Sequence, residues 1–189
     1  MKQMASGAMV DLGAASPEQV DFDDIAIALS LICRFNGALS SPWMFYSVAQ
    51  HSALVADLLP PDLAVYGLLH DAHEAYFGDD ITPKKRLLKR FAPVEACALE
   101  MYKEQWDYAI WMAAGIDPPT PGIRVLVKNA DLVAAATERR DLLSRPKAPE
   151  LKAHWASLPE PDAREIDPLP PWEACEDFLR RLWDAGVKQ

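Results

Sequence analysis

Between Leu68 and Asp79 the chain reads Leu-Leu-His-Asp-Ala-His-Glu-Ala-Tyr-Phe-Gly-Asp. Two imidazoles and three carboxylates follow directly on an apolar run, Ala64, Val65, Leu68 and Leu69, that a helix buries. Charge placed against a core without a partner is expensive, so this stretch demands a compensating cation or a catalytic task. Any fold the chain adopts must bring that partner to it.

Half of the 189 residues are apolar, enough for one substantial core. With 28 acidic against 19 basic residues the formal charge is −9, spread along the chain. Binding of a nucleic acid polymer relies on phosphate neutralisation by Lys and Arg, so that class of partner is disfavoured, as is a transcription factor. A small anion is compatible if a metal supplies positive charge. Cys33, Cys97 and Cys175 are far apart and in no C-x-x-C pair, as expected for reduced thiols. No apolar run approaches the roughly 20 residues of a membrane span, and residues 1–7 carry no signal-peptide core, so a soluble, cytoplasmic protein is expected.

Apolar residues recur at helical spacing, and no stretch alternates like a strand, so the expected fold is all-α. Residues 1–20 read as an irregular N-terminal arm and 21–189 as a single helical domain, with its core in 22–143. A first helix runs from Asp23 to Arg34. The pattern Ser47-Val48-Ala49-Gln50 is a capping box starting a second helix at Val48, with His51 in its first turn, and Pro60-Pro61 stops it. Asp62 is placed to cap a third helix that carries His70 to Gly78. Thr82-Pro83 opens a basic helix, a long one spans Pro93 to about Ala114, and another runs from about Ile123 to Leu143. Residues 144–171, with seven prolines, read as an extended surface segment before a C-terminal helix over 172–184.

Side chains of metal-ligand type occur in the order His51, His70, Asp71, Asp131, each in an expected helix. His70 and Glu74 share a face at i,i+4, and Asp131 continues the apolar stripe Ile123, Val127, Ala130, Ala134. Singly, His51 reads as an ordinary satisfied polar residue and Asp131 as the partner of Arg124 or Lys128. Together they require three helices to bury ionisable groups by coincidence.

The order H…HD…D resembles the HD-domain metal-dependent phosphohydrolase superfamily. Within it the chain is most similar to the bacterial and phage 5′-deoxynucleotidase-like branch, through Ile32-Cys33-Arg34-Phe35, Tyr46 to Ser52, Leu69 to Tyr76 with Gly78-Asp79, Thr82 to Lys85, and Lys128 to Asp131. The resemblance covers about residues 22–143 and implies an HD-domain helical bundle. It implies that His51, His70, Asp71 and Asp131 coordinate one divalent ion, of the Mn, Co, Mg, Zn or Fe kind. Glu74 and Asp79 then take catalytic roles, with Glu74 assisting proton transfer and Asp79 holding the sugar 3′-hydroxyl or sharing the proton work. Arg34 grips phosphate, Phe35 stands where the relatives carry a tryptophan near the sugar, and Lys84 and Lys85 are further phosphate contacts or a solvated basic face.

Binuclear relatives use additional histidines. With four histidines in the chain, and His154 in the proline-rich segment, one metal is expected here. His73 is then a residue behind the ligands, a substrate contact or an ordinary polar side chain. The implied activity is a 5′-nucleotidase releasing phosphate from (deoxy)nucleoside monophosphates. The alternatives are a deoxynucleoside triphosphate triphosphohydrolase and a non-catalytic nucleotide-sensing domain. A homodimer is also implied, with Trp106 and Trp111 as interface candidates unless they belong to the core.

Overall fold

The computed structural model describes residues 1–41, 44–145, 147 and 157–187. Its helices are α1 (Phe22–Leu31), α2 (Val48–Asp57), α3 (Ala64–Leu69), α4 (Glu74–Phe77), α5 (Thr82–Phe91), α6 (Pro93–Ala113), α7 (Pro121–Leu142) and α8 (Pro171–Asp184). The fold is all-α apart from a small hairpin, β1 (Lys2–Gln3) against β2 (Met9–Val10), antiparallel with Lys2 opposite Val10. The arm expected to be irregular is therefore tied down. Met4 and Val10 are buried, and the backbone N–H and hydroxyl of Ser6 both donate to Asp24, at 2.7 and 2.6 Å. Strands of two residues are too short to leave an alternation in the sequence.

The main core gathers Ile25 and Leu29 of α1, Val48 and Ala49 of α2, Leu68 and Leu69 of α3, Trp106 and Ile110 of α6, and Phe178 and Leu182 of α8. A smaller cluster packs Leu54 and Val55 of α2 against Ala130 and Ala134 of α7. Those alanines let two backbones approach, which brings the carboxylates of α7 within reach of α2. Trp106 is fully buried and stacks on Tyr76 with centroids 3.9 Å apart, while Trp111 is 7% exposed. Both tryptophans belong to the core and neither offers an interface.

Three local expectations give way to tertiary structure. α1 stops at Leu31, before Arg34, because Ile32 turns extended to accept the Val48 N–H, and Arg34 N–H in turn donates to Tyr46 O. Ser47 does cap α2 by accepting from Gln50 N–H. The Gln50 side chain, however, does not close the box: it donates to Asp167 O and accepts from Leu169 N–H. Asp62 makes no cap to α3, and the expected long third helix is broken over residues 70–73.

The described part of the proline-rich segment is stapled rather than loose. Asp162 N–H donates to Thr137 Oγ1 at 2.9 Å and Ile166 N–H to Asp141 Oδ2 at 3.0 Å. The rest of that segment, His154 included, lies outside the described residues. Cys33, Cys97 and Cys175 are free thiols, and no helix among the described residues is long and apolar enough to cross a membrane.

Candidate metal centre

His51 arrives first, one turn into α2 and fully buried. The Ser47 cap fixes where the helix begins, and the same turn is bridged to Cys33. That bridge carries Arg34 to the start of α2. Arg34 heads a tight turn in which Phe35 and Asn36 take left-handed angles, φ 57° and 50°, followed by Gly37 at φ 76°. Left-handed backbone at two non-glycine residues costs on the order of 1 kcal/mol each and persists where surrounding structure imposes it.

α3 crosses α2 closely. A Cβ on Gly67 would stand 2.7 Å from Leu59 Cδ1 and 2.9 Å from the Ala56 backbone. His70 then donates from Nδ1 to the Gly67 carbonyl at 2.7 Å, which leaves Nε2 as the free ring nitrogen. The break over residues 70–73 turns Asp71 toward the same point, where its Oδ2 lies 3.2 Å from His70 Nε2 and 3.6 Å from His51 Nε2. From α7, Asp131 places Oδ1 3.4 Å from His51 Nε2 and accepts from Lys128 Nζ at 2.7 Å through Oδ2. One Asp131 oxygen thus pairs with Lys128, as the sequence allowed, and the other faces His51.

Two buried polar side chains stand behind this cluster. Glu138, two turns past Asp131 on α7, is fully buried and accepts from His51 Nδ1 at 2.6 Å and from Arg34 Nη2 at 3.4 Å. Arg34 Nη1 lies 3.9 Å from both Asp71 Oδ2 and Asp79 Oδ2. One guanidinium is therefore shared among three carboxylates. Glu74, the first residue of α4, is 2% exposed and its Oε2 has no hydrogen-bond partner.

The electrostatics follow from this crowding. Burial opposes a His51 cation, and so does Arg34, but Glu138 and Asp131 outweigh them and raise the imidazole to about 10. Burial likewise opposes charge on Asp131, Asp71 and Glu138, yet His51, His70 and Arg34 hold all three below the ordinary carboxylate range. Glu74 goes the other way: burial, then repulsion from Asp71 and Asp79, pushes it up to about 9. A site that keeps a histidine protonated and one carboxyl neutral has a strong preference for added positive charge.

The structure thus brings His51, His70, Asp71 and Asp131 to one point, and sets Glu74, Asp79 and Arg34 beside it. One ligand atom from each of His51, His70 and Asp131 lies within 4.8 Å of the other two, so the cluster can hold a metal ion. With both histidines offering Nε2 and their Nδ1 atoms engaged, the donor set fits a divalent cation. The Phe35 ring lies 5.5 Å from the Arg34 guanidinium. The two lysines divide. Lys84 is 55% exposed and spent on Asp80 at 2.5 Å, whereas half-buried Lys85 acts on Glu74 with its charge.

Glu138 and Asp107 escaped the sequence reading. The heptad from Asp131 to Glu138 put both carboxylates on one face of α7, a signal that was present; Asp107, which accepts from His73 Nδ1 at 2.8 Å, left none. A cleft of about 280 Å³ opens on the cluster, walled by His70, Asp71 and Asp131 on one side and by Tyr66, Trp111 and Arg124 on the other.

No family model matches the chain. It is 38% identical to the uncharacterized protein YfdR of Escherichia coli (strain K12) over 172 residues, 88% of this chain and 85% of that protein. It is 31% identical to the uncharacterized protein RCAP_rcc00048 of Rhodobacter capsulatus over 150 residues, 75% of this chain and 72% of that protein. At that identity, sustained over most of both partners, the chain belongs to the family of YfdR.

Proposed function

We propose that the protein is an HD-type, metal-dependent nucleotidase that releases phosphate from (deoxy)nucleoside monophosphates. The observation that carries this is the convergence of His51, His70, Asp71 and Asp131 on one point with Arg34 and Glu74 both adjacent. A divalent cation of the Mn, Co, Mg, Zn or Fe kind, held by those four residues, supplies neutralisation of the phosphate and a water of lowered pKa. Arg34 binds phosphate oxygens with a planar guanidinium, and Glu138 behind it fixes that plane. Glu74 takes and returns a proton, in a setting dry enough to tune it far from its solution value. Asp79, against the other edge of Arg34, orients the guanidinium and stands ready for a sugar hydroxyl. Phe35 supplies an apolar surface beside Arg34, in place of the tryptophan of the resembling branch. The −9 charge fits a small nucleotide ligand better than a polymer.

Orthophosphate release from a panel of deoxynucleoside and ribonucleoside mono- and triphosphates, with Mn²⁺, Co²⁺ or Mg²⁺ added, tests the assignment. Monophosphates are expected to turn over, and Asp71→Ala to lose at least about a thousandfold in rate. Absence of turnover with every metal sinks it.

A second reading, a deoxynucleoside triphosphate triphosphohydrolase, is favoured by Arg124 and Lys128 lining the cleft beside Asp131, where further phosphates would find positive charge. The product separates the two: triphosphate rather than orthophosphate. A homodimer, also implied by the resemblance, would use the exposed apolar residues of α5 and α6, such as Phe91, Val94 and Met101.

A further inference from the structure

We propose that Asp71, His73 and Glu74 form a second divalent-cation site, sharing Asp71 with the first; the proposal rests on the metal-centre assignment above. One ligand atom from each of the three lies within 4.8 Å of the other two. Asp71 directs Oδ2 at the two histidines of the first cluster, and a carboxylate so placed has a second oxygen with which to bridge. Bridged ions sit roughly 3.5–4 Å apart in two-metal sites.

Two observations make this more than a cluster of acidic residues. Glu74 is 2% exposed, and its Oε2 is buried with no hydrogen-bond partner. A carboxyl oxygen in that condition is costly unless something ligates it. His73, for its part, is held in the manner of the other two histidines. Each has Nδ1 engaged by a fixed oxygen: Glu138 for His51, Gly67 O for His70, Asp107 for His73 at 2.8 Å. A histidine oriented by a carboxylate on one nitrogen presents the other as a ligand, which is the usual arrangement behind metal-bound imidazole. A structural His73–Asp107 pair would account for the hydrogen bond, but not for the unpartnered Glu74 oxygen beside it.

The Arg34 guanidinium does not satisfy the group. Arg34 stands 3.9 Å from Asp71 and is divided with Glu138 and Asp79. Two carboxylates and one imidazole form a hard, oxygen-rich donor set that suits Mn²⁺ or Mg²⁺ better than a thiolate-seeking ion. The sequence pattern, with its histidines already assigned, provided for one ion; the second set becomes visible only when the chain breaks over residues 70–73 and turns His73 and Glu74 in with Asp71.

The test uses the full chain, stripped with a chelator and equilibrated with MnCl₂ by dialysis, with bound Mn²⁺ measured per chain and the electron paramagnetic resonance spectrum recorded. The expected result is two Mn²⁺ per chain with a broadened, exchange-coupled signal. His73→Ala and His73→Gln, folded by circular dichroism, are expected to retain one ion with the six-line spectrum of isolated Mn²⁺. One Mn²⁺ per wild-type chain, or two ions retained in a folded His73 variant, overturns the second site and leaves the first standing. No bound Mn²⁺ at all overturns both. Should the variants fail to fold, stoichiometry and exchange coupling in the wild type decide the matter alone.

Discussion

A carboxyl pushed up to about 9 keeps its proton at neutral pH unless a cation arrives, and Glu74 is that carboxyl. Its raised pKa fixes the sign of its effect on folding. The contribution is fully present below the ordinary value of 4.5 and is lost as pH climbs toward 9, because the folded state binds the proton more tightly than the unfolded one. In metal-free protein, Glu74→Gln should therefore gain stability relative to wild type by more than about 1 kcal/mol between pH 5 and pH 8, within the limit of about 1.4 kcal/mol per pH unit. Urea unfolding with a chelator at the two pH values measures it. A constant difference would mean that Glu74 is ionised in the fold throughout. His51 carries the same sign, its contribution complete below 6.5 and lost toward 10, so it persists in both proteins and cancels in the comparison.

Among elements, the crossing of α2 and α3 brings the candidate donors His51, His70 and Asp71 together. Gly67 is there because no side chain fits against Leu59 and Ala56, and its carbonyl also holds His70. Gly67→Ala should cost about 2–3 kcal/mol by overpacking and displace His70 with it. Thermal unfolding and Mn²⁺ affinity should fall together; a change in stability with unaltered affinity would separate the crossing from the site. This crossing also shows what the sequence could and could not say. Helix periodicity made the helices legible, and the spacing of His51, His70, Asp71 and Asp131 marked four side chains that the fold brings together. The end of α1 at Leu31, the diversion of Gln50 to Asp167 and the break after Leu69 were not, because each is decided by a partner distant in the chain. Asp107 was hidden for the same reason: it looks like any other helix carboxylate until its partner His73, 34 positions earlier, is known. Lys84 and Lys85, adjacent in sequence, part company only through the helical turn that hands one to Asp80.

At the level of the whole molecule, α8 closes the core by packing on α1, α2 and α3, and carries none of the candidate donors itself. Phe178 and Leu182 are fully buried, and Arg181 pairs with Asp57 at the end of α2. Phe178→Ala should cost about 3–5 kcal/mol while the folded fraction keeps its Mn²⁺ stoichiometry, since none of the donors lies on α8. Calorimetry and metal analysis on the same sample check both halves. A loss of bound metal in folded protein would show that α8 positions the site.

The Lys2 ammonium donates to the carbonyls of Ala75 and, at 3.2 Å, Tyr76, so a charge from the hairpin sits on the C-terminal end of α4. A four-residue helix has no cooperative unit of its own and lasts by what holds it from outside, here burial of Ala75 and Tyr76 in the core together with the contact at its end. One end carries Glu74; the other is latched by a residue more than seventy positions earlier. Opening of the hairpin then removes one of those holds, and the backbone amides around Tyr76 are expected to exchange faster with solvent when the arm lets go. The mobility of the Glu74 carboxyl is thereby tied to the N-terminal hairpin.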